Sequence, residues 1–278
     1  MRLLVCGVRG STPAPGSDFL RYGGHTSCVA VAHADESPAL VLDGGTGLQI
    51  LSSSFNGHAF HGTIILGHLH WDHTHGLPFF QAGHQDDAEI RLYVPGQGKA
   101  PEQVLARAIG PPHFPVETTQ FRGNWTVHSL EPGESEIEGF RVLALEIPHK
   151  GGRTFGYRVS DDSATFAYLS DHSPIAFGPG PDGFGEYHEN ALRLAEGVDL
   201  LIHDAQHLAS EFSECAYLGH SAVEYPIGLA QRAGAKRVLL YHHDPWRTDP
   251  QIDEIVRDHT GGPIPVEAAF EGQTIELP

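Results

Sequence analysis

Cysteine is scarce in this chain, with Cys6, Cys28 and Cys215 the only three in 278 residues. They are odd in number and far apart in sequence, which excludes a disulfide framework and a Cys-x-x-Cys site. A reducing cytoplasm is the expected home. Positive charge is scarce too. Lys and Arg number 17 against 35 Asp and Glu, a formal charge of −18. Such a chain repels polyanions unless its cations are concentrated locally, so nucleic acid is not the expected partner. Long apolar runs are missing. Stretches such as Val238 to Tyr241 fall far short of the ~18 residues that cross a bilayer, so no membrane partner is expected. The first ten residues lack the apolar region of a signal peptide and read as a strand. No repeat and no linker divides the chain, and residues 1–278 are expected to form one domain.

Histidine is abundant: 20 residues, more than Lys and Arg together. Neutral imidazole is a common metal ligand and a proton carrier near neutral pH. Several histidines stand where short apolar runs end. Ala39 to Leu42 runs into Asp43, and Thr63 to Leu66 into Gly67-His68. Phe140 to Ile147 runs into Pro148-His149, and Ala164 to Leu169 into Ser170-Asp171. Val198 to Ile202 runs into His203-Asp204, and Arg237 to Tyr241 into His242-His243. Apolar runs bounded by turn signals read as buried strands. In a layered α/β protein the loops after such strands gather at one edge and carry the site. Helices are expected over Pro101 to Ile109, Glu186 to Glu196, Ser221 to Ala233 and Pro250 to His259. Ser221-Ala222-Val223-Glu224 fits a capping box. Pro174 to Gly185, rich in Gly and Pro, is expected to be a long loop beside the site.

Residues 68–73 read His68-Leu69-His70-Trp71-Asp72-His73, four ligand-type side chains within six residues. Alternate residues of an extended segment point the same way. His68 and His70 therefore face one metal, while Asp72 and His73 reach a second once the chain turns. Imidazole with carboxylate suits zinc, iron and manganese. The motif has no cysteine, which excludes a structural thiolate zinc site.

With this motif the chain resembles the metallo-β-lactamase superfamily of metallohydrolases. Leu42-Asp43-Gly44-Gly45-Thr46-Gly47 resembles its strand–Asp–Gly turn, Pro148-His149 its third histidine, and Leu169-Ser170-Asp171 its bridging aspartate. Tyr241-His242 resembles the last ligand, although by alternation alone His242 and His243 are both candidates. The resemblance implies an α/β fold, a four-layer αββα sandwich of two mixed β-sheets flanked by helices, with a dinuclear site at one sheet edge. The segments 7–13 and 22–28, with Gly219-His220-Ser221, resemble the branch of tRNase Z and phosphoribosyl cyclic phosphodiesterases. Two departures favour a small phosphodiester over RNA. Pro174 to Gly185, where tRNA-processing members carry a basic arm, contains no Lys or Arg, and Asp204 stands where those enzymes present a Glu.

The resemblance implies two divalent metal ions, zinc first, with manganese or iron as alternatives. His68, His70 and His149 would hold one ion and Asp72, His73 and His242 the other, with Asp171 shared. A hydroxide bridging them would attack the substrate. His220, oriented by Asp204, is the candidate general acid, and Asp72 joins them at the reacting centre. Asp43 is expected to hydrogen-bond the ligand loop, and Trp71 to pack inside the motif loop. Arg153 pairs either a substrate phosphate or a surface carboxylate. His75 reads as a loop residue, and His25, His172, His203 and His207 as weaker candidates for substrate contact. The expected function is a dinuclear metal-dependent phosphodiesterase acting on a small cyclic or simple phosphodiester. A lactone, thioester or carboxyl-ester hydrolase and a non-catalytic metal-stabilised binding protein are the alternatives. A homodimer remains open.

Overall fold

Fourteen strands form two seven-stranded sheets built to one plan in this computed structural model, which describes residues 1–278. The first sheet runs β14 (Thr274–Glu276), β1 (Arg2–Gly7), β2 (Cys28–Ala32), β3 (Leu40–Leu42), β4 (His61–Ile65), β5 (Glu89–Pro95), β6 (Asn124–Leu130). The second runs β7 (Gly133–Ile137), β8 (Phe140–Ile147), β9 (Thr154–Ser160), β10 (Thr165–Leu169), β11 (Leu200–Asp204), β12 (Val238–Tyr241), β13 (Val266–Ala268). In each sheet the first four strands pair antiparallel and the last four parallel.

The central strands β2, β3, β10 and β12 read as unbroken apolar runs because both faces of each sheet are covered there. In β10, Phe166 and Tyr168 turn into the core between the sheets, while Ala167 and Leu169 turn outward. In β1, Leu3 and Val5 face inward and Cys6 outward. The inner core joins 27 buried residues from both sheets. Each fully buried Leu, Val or Phe there contributes roughly 1.5–3 kcal/mol against chain entropy. Helices α1 (Leu48–Ser54) and α3 (Pro101–Leu105) cover the first sheet. Helices α4 (Glu189–Ala195), α6 (Glu224–Ala233) and α7 (Asp249–His259) cover the second. The result is the expected four-layer αββα sandwich. Two short helices, α2 (Trp71–Thr74) and α5 (Ala209–Cys215), lie in connections. No helix is long and apolar enough to cross a membrane.

The structure corrects the capping box at Ser221. Helix α6 begins at Glu224 without a side-chain cap, because the Ser221 hydroxyl donates to His172 O at 2.8 Å. Helix α3 ends at Leu105, short of the expected Ile109. Pro174 to Gly185 contains one 3-10 turn, Pro174–Phe177, and is otherwise irregular. All three thiols are free. Cys6 and Cys28, distant in sequence, lie on the paired strands β1 and β2, and burial beside Cys6 pushes the Cys28 thiol up.

Candidate metal centre

Strands β3 and β4 run parallel, as do β10, β11 and β12, so their carboxyl ends lie at one edge of the sandwich. Asp43 follows β3, Gly67-His68 follow β4, Asp171 follows β10, Asp204 closes β11 and His242 follows β12. His149 comes from the loop after β8. His70 has extended backbone, φ −66° and ψ 160°, and ends the straight run. The turn of α2 then delivers Asp72 and His73.

The structure brings all seven expected ligands together in two groups. Donor atoms of His68, His70, His149 and Asp171 all lie within 4.8 Å of one another, as do those of Asp72, His73, Asp171 and His242. Asp171 belongs to both. Its Oδ2 is 3.5 Å from His68 Nε2 and 3.4 Å from His149 Nε2. Its Oδ1 is 3.0 Å from His73 Nε2 and 3.1 Å from His242 Nε2. Asp72 Oδ2 lies 3.2 Å from His73 Nε2 and 3.0 Å from His242 Nε2.

The outer nitrogens are tied down. His73 Nδ1 donates to Asp43 Oδ2 at 2.8 Å, His149 Nδ1 to Gly219 O at 2.7 Å and His242 Nδ1 to Gln206 Oε1 at 3.0 Å. Each bond sets the tautomer and leaves Nε2 as a lone pair aimed at the centre. Asp43 also accepts Gly67 N and the Tyr168 hydroxyl, both at 2.7 Å.

This donor set fits divalent cations. His68 Nε2, His73 Nε2 and both Asp171 oxygens are buried without a hydrogen-bond partner. Asp43, Asp72, Asp171 and Asp204 are buried carboxylates, and none pairs with a Lys or Arg. Buried negative charge on this scale requires compensation. Burial pushes His68 down and His149 down to about 4, which keeps both neutral as ligands must be. Burial also opposes the charged form of His73, but Asp72, Asp171 and Asp43 outweigh it and raise that pKa. Burial likewise opposes ionisation of Asp171, and the surrounding His242, His73 and His68 hold it low nonetheless.

His220 Nδ1 is 3.0 Å from Asp204 Oδ2 and 3.8 Å from Asp171 Oδ2. Its ring stacks on His242 at 4.9 Å. Burial disfavours its charge, yet Asp204 raises it to about 9. Asp204 is itself held by the backbone N–H groups of His172, Gln206 and Ser221. Asp204, His220 and His242 also have donor atoms within 4.8 Å of one another.

The other histidines sort by contact. His243 turns away, its Nε2 donating to Ala269 O at 2.9 Å. His172 Nδ1 and His203 Nε2 are 3.0 Å apart behind the site, and His203 Nδ1 donates to Asp204 O. His207 is buried, its ring 5.8 Å from that of His220. His25 lines a separate cavity of about 700 Å³ that holds no carboxylate. Arg153 pairs with Glu131 and Glu146. Trp71, expected to pack inside its loop, is instead 67% exposed, because the first position of α2 points its side chain out of the ligand ring.

Sequence reasoning assigned no role to Gly10, Ser11 or Gln206. Ser11 N donates to Asp72 Oδ2 at 2.7 Å, and Gln206 Nε2 donates to Ser11 Oγ at 3.3 Å. A methyl at Gly10 would overlap His242 Nδ1 and lie 2.6 Å from Gln206 Oε1. Gly10 and Ser11 lie inside the N-terminal segment that carries the branch resemblance, whereas nothing marks Gln206. A cavity of about 350 Å³ opens on Ser11, His70, Trp71, Asp72, Asp171 and His220. A second, of about 290 Å³, shares His70 and is lined by His68, Lys99, Arg107 and Arg153.

The chain is similar to known proteins in sequence and in fold. The family described as a beta-lactamase superfamily domain matches residues 60–243. Ribonuclease Z of Natronomonas pharaonis is 24% identical over 324 residues, covering 100% of this chain and 98% of the relative. The crystal structure of the short form of human tRNase Z aligns with a TM-score of 0.68 at 21% identity, covering 100% of both chains. A diphosphatase from the PhnP family aligns with a TM-score of 0.69 at 19% identity, covering 100% of this chain and 98% of its own.

Proposed function

The chain belongs to the beta-lactamase superfamily domain family and is a metal-dependent hydrolase, and from that premise we propose that it hydrolyses a small cyclic or simple phosphodiester. His68, His70 and His149 would hold one divalent ion and Asp72, His73 and His242 a second, with Asp171 shared. Zinc is the first choice, manganese and iron the alternatives. When bound, two such cations supply an activated water near neutral pH and neutralise charge on phosphoryl oxygens.

The chain's own residues do the rest. Asp171 offers one oxygen to each ligand group and keeps them in register. Asp43 and Gln206 hold His73 and His242 in the tautomer that binds metal. Asp204 occupies His220 Nδ1, so His220 Nε2 is the nitrogen that hands a proton to the leaving alkoxide.

The observation that carries the phosphodiester reading is where an acidic chain puts its few cations. Lys99 and Arg107 line the cavity that shares His68 and His70 with the centre. Neither has an acidic partner, whereas Arg153 beside them is paired with Glu131 and Glu146. Such a wall attracts an anionic substrate and gives a neutral lactone nothing. A small substrate is favoured over RNA by the lack of Lys and Arg in Pro174 to Gly185. The alignment with the Natronomonas relative runs over 324 residues against a chain of 278, so that relative carries insertions this chain lacks. The free thiols favour a reducing cytoplasm.

The test is a panel run with and without chelator: bis(p-nitrophenyl) phosphate, a 2′,3′-cyclic nucleotide, a lactone, a thioester and a precursor tRNA. Chelator-sensitive turnover of the first two is expected. Faster lactone or thioester cleavage would transfer the site to acyl chemistry, and tRNA cleavage would restore the ribonuclease reading. Inertness on every substrate with both ions bound would leave a metal-stabilised binding protein.

A further inference from the structure

Trp71 stands between two expected ligands, His70 and Asp72, yet 67% of it faces solvent. Its ring is stacked on His75 one helical turn on, with centroids 5.4 Å apart and planes 19° from parallel. The i, i+4 spacing puts the two rings on one face of the turn that begins α2. One face of the indole is thus backed and its rotamer held, while the other is left open. That open side chain forms part of the wall of the 350 Å³ cavity, together with Asp171 and His220. Trp125 shows the contrast: its indole N–H donates to Gly83 O, and it packs among Phe121 and His84. Trp71 makes no such bond and fills no core.

Leaving the largest apolar side chain in water forgoes its burial energy unless something covers it. At this place a molecule seated in the cavity would cover it. The ring is flat, held in place and uncharged, which suits another flat ring lying on it. Every nucleobase offers such a face, and aromatic side chains bind bases in this way with little regard to sequence.

We propose that the open face of Trp71, backed by His75, is a stacking platform for a nucleobase carried by the substrate, so that the preferred phosphodiesters are nucleotides. This rests on the phosphodiesterase reading above and names the part of the substrate that does not react.

The experiment compares adenosine 2′,3′-cyclic phosphate with 1-O-methylribose 2′,3′-cyclic phosphate, which has the same reacting group and no base. The wild-type protein should prefer the nucleotide about tenfold or more in kcat/KM, the scale of one base stacked on one aromatic ring. Trp71→Ala should collapse that ratio toward one, and Trp71→Phe should keep most of it. Metal content is measured on each variant, because residue 71 sits between ligands. A wild-type ratio near one, or a ratio that survives Trp71→Ala, overturns the platform. Binding of 3′-AMP to the metal-loaded wild-type protein gives a readout free of turnover and of mutation. The adenine H2 and H8 resonances should move upfield under the indole ring current, and unmoved resonances in the bound nucleotide overturn the proposal. If neither cyclic phosphate is hydrolysed while 3′-AMP still stacks, the phosphodiesterase reading fails and the platform stands.

Discussion

Asp43 Oδ2 accepts the Nδ1 proton of His73 at 2.8 Å and, on the same oxygen, the hydroxyl of Tyr168 at 2.7 Å. The carboxylate touches no expected substrate atom, yet it decides which nitrogen His73 presents to the centre. Asp43→Asn keeps a carbonyl oxygen but loses the charge and one acceptor. Affinity for the ion held by Asp72, His73 and His242 should fall roughly ten- to hundredfold, the usual effect of losing a partner behind a ligand. Elemental analysis after dialysis against graded chelator checks this. Unchanged retention of both ions would refute the role.

Gly10 has no special backbone angle, and its constraint is steric. Gly10→Ala would drive a methyl into His242 Nδ1 and Gln206 Oε1. The expected result is a protein with every ligand intact that holds one ion in place of two. Overpacking of this kind costs about 1–3 kcal/mol, readable as a lowered melting temperature. Two ions at normal affinity would show that the loop yields without moving His242.

His220→Ala should leave metal content near two and lower the rate about a hundredfold or more for substrates with an alkoxide leaving group. The loss should shrink for p-nitrophenyl esters, whose leaving group departs without a proton. His220 also shares a potential ligand group with Asp204 and His242. A variant that sheds an ion, or that slows both substrate types equally, would make His220 a ligand or a structural residue.

Acidification should strip the two sites in order. His73 is raised above its ordinary value, so at neutral pH a proton already competes for the nitrogen that binds metal. His68 and His149 are lowered, the latter to about 4, so protons compete for them only under far more acid conditions. As the solution is acidified, the ion at His73 should leave first and the ion at His68, His70 and His149 later. Activity should fall with the first departure. Dialysis at stepped pH followed by elemental analysis checks the order, and simultaneous loss or the reverse order would contradict it.

The ends of the central strands were legible because the middle of each sheet is covered on both faces. That burial made β10 an apolar run with a sharp end, and β8, apolar but for exposed Arg141 and Glu146, spans Phe140–Ile147 where its run predicted. The edge strands were not legible. β6 and β7 lie at sheet edges, are largely exposed along their length, and carry too little apolar signal to read. Helix α1 ends in three serines and holds its shape by burying Leu48 and Leu51. Ser221 misled because a tertiary bond to His172 O outcompeted the local capping pattern. Gln206 stayed invisible for a different reason: a glutamine has no chemistry of its own to announce, and its role exists only beside His242. Of the pair after β12, alternation alone could not choose; in the fold His243 turns to Ala269 O and His242 toward Asp72 and Asp171.

Three of the five non-glycine residues with left-handed backbone, Ser11 at φ 62°, Asp43 at φ 65° and His242 at φ 58°, sit in or directly behind the ligand ring. A side chain in that conformation costs roughly 1–2 kcal/mol, which glycine would not incur. At Asp43 and His242 that cost is outweighed by what the buried side chain holds, three hydrogen bonds in the case of Asp43. A laboratory selection for heat resistance alone would therefore keep Asp43 and His242, whose loss would orphan buried partners and open a cavity, and would accept glycine only at the exposed Ser11. Thermostable clones carrying Ser11→Gly would still present the backbone N–H that holds Asp72, so at that position heat resistance and the centre are compatible.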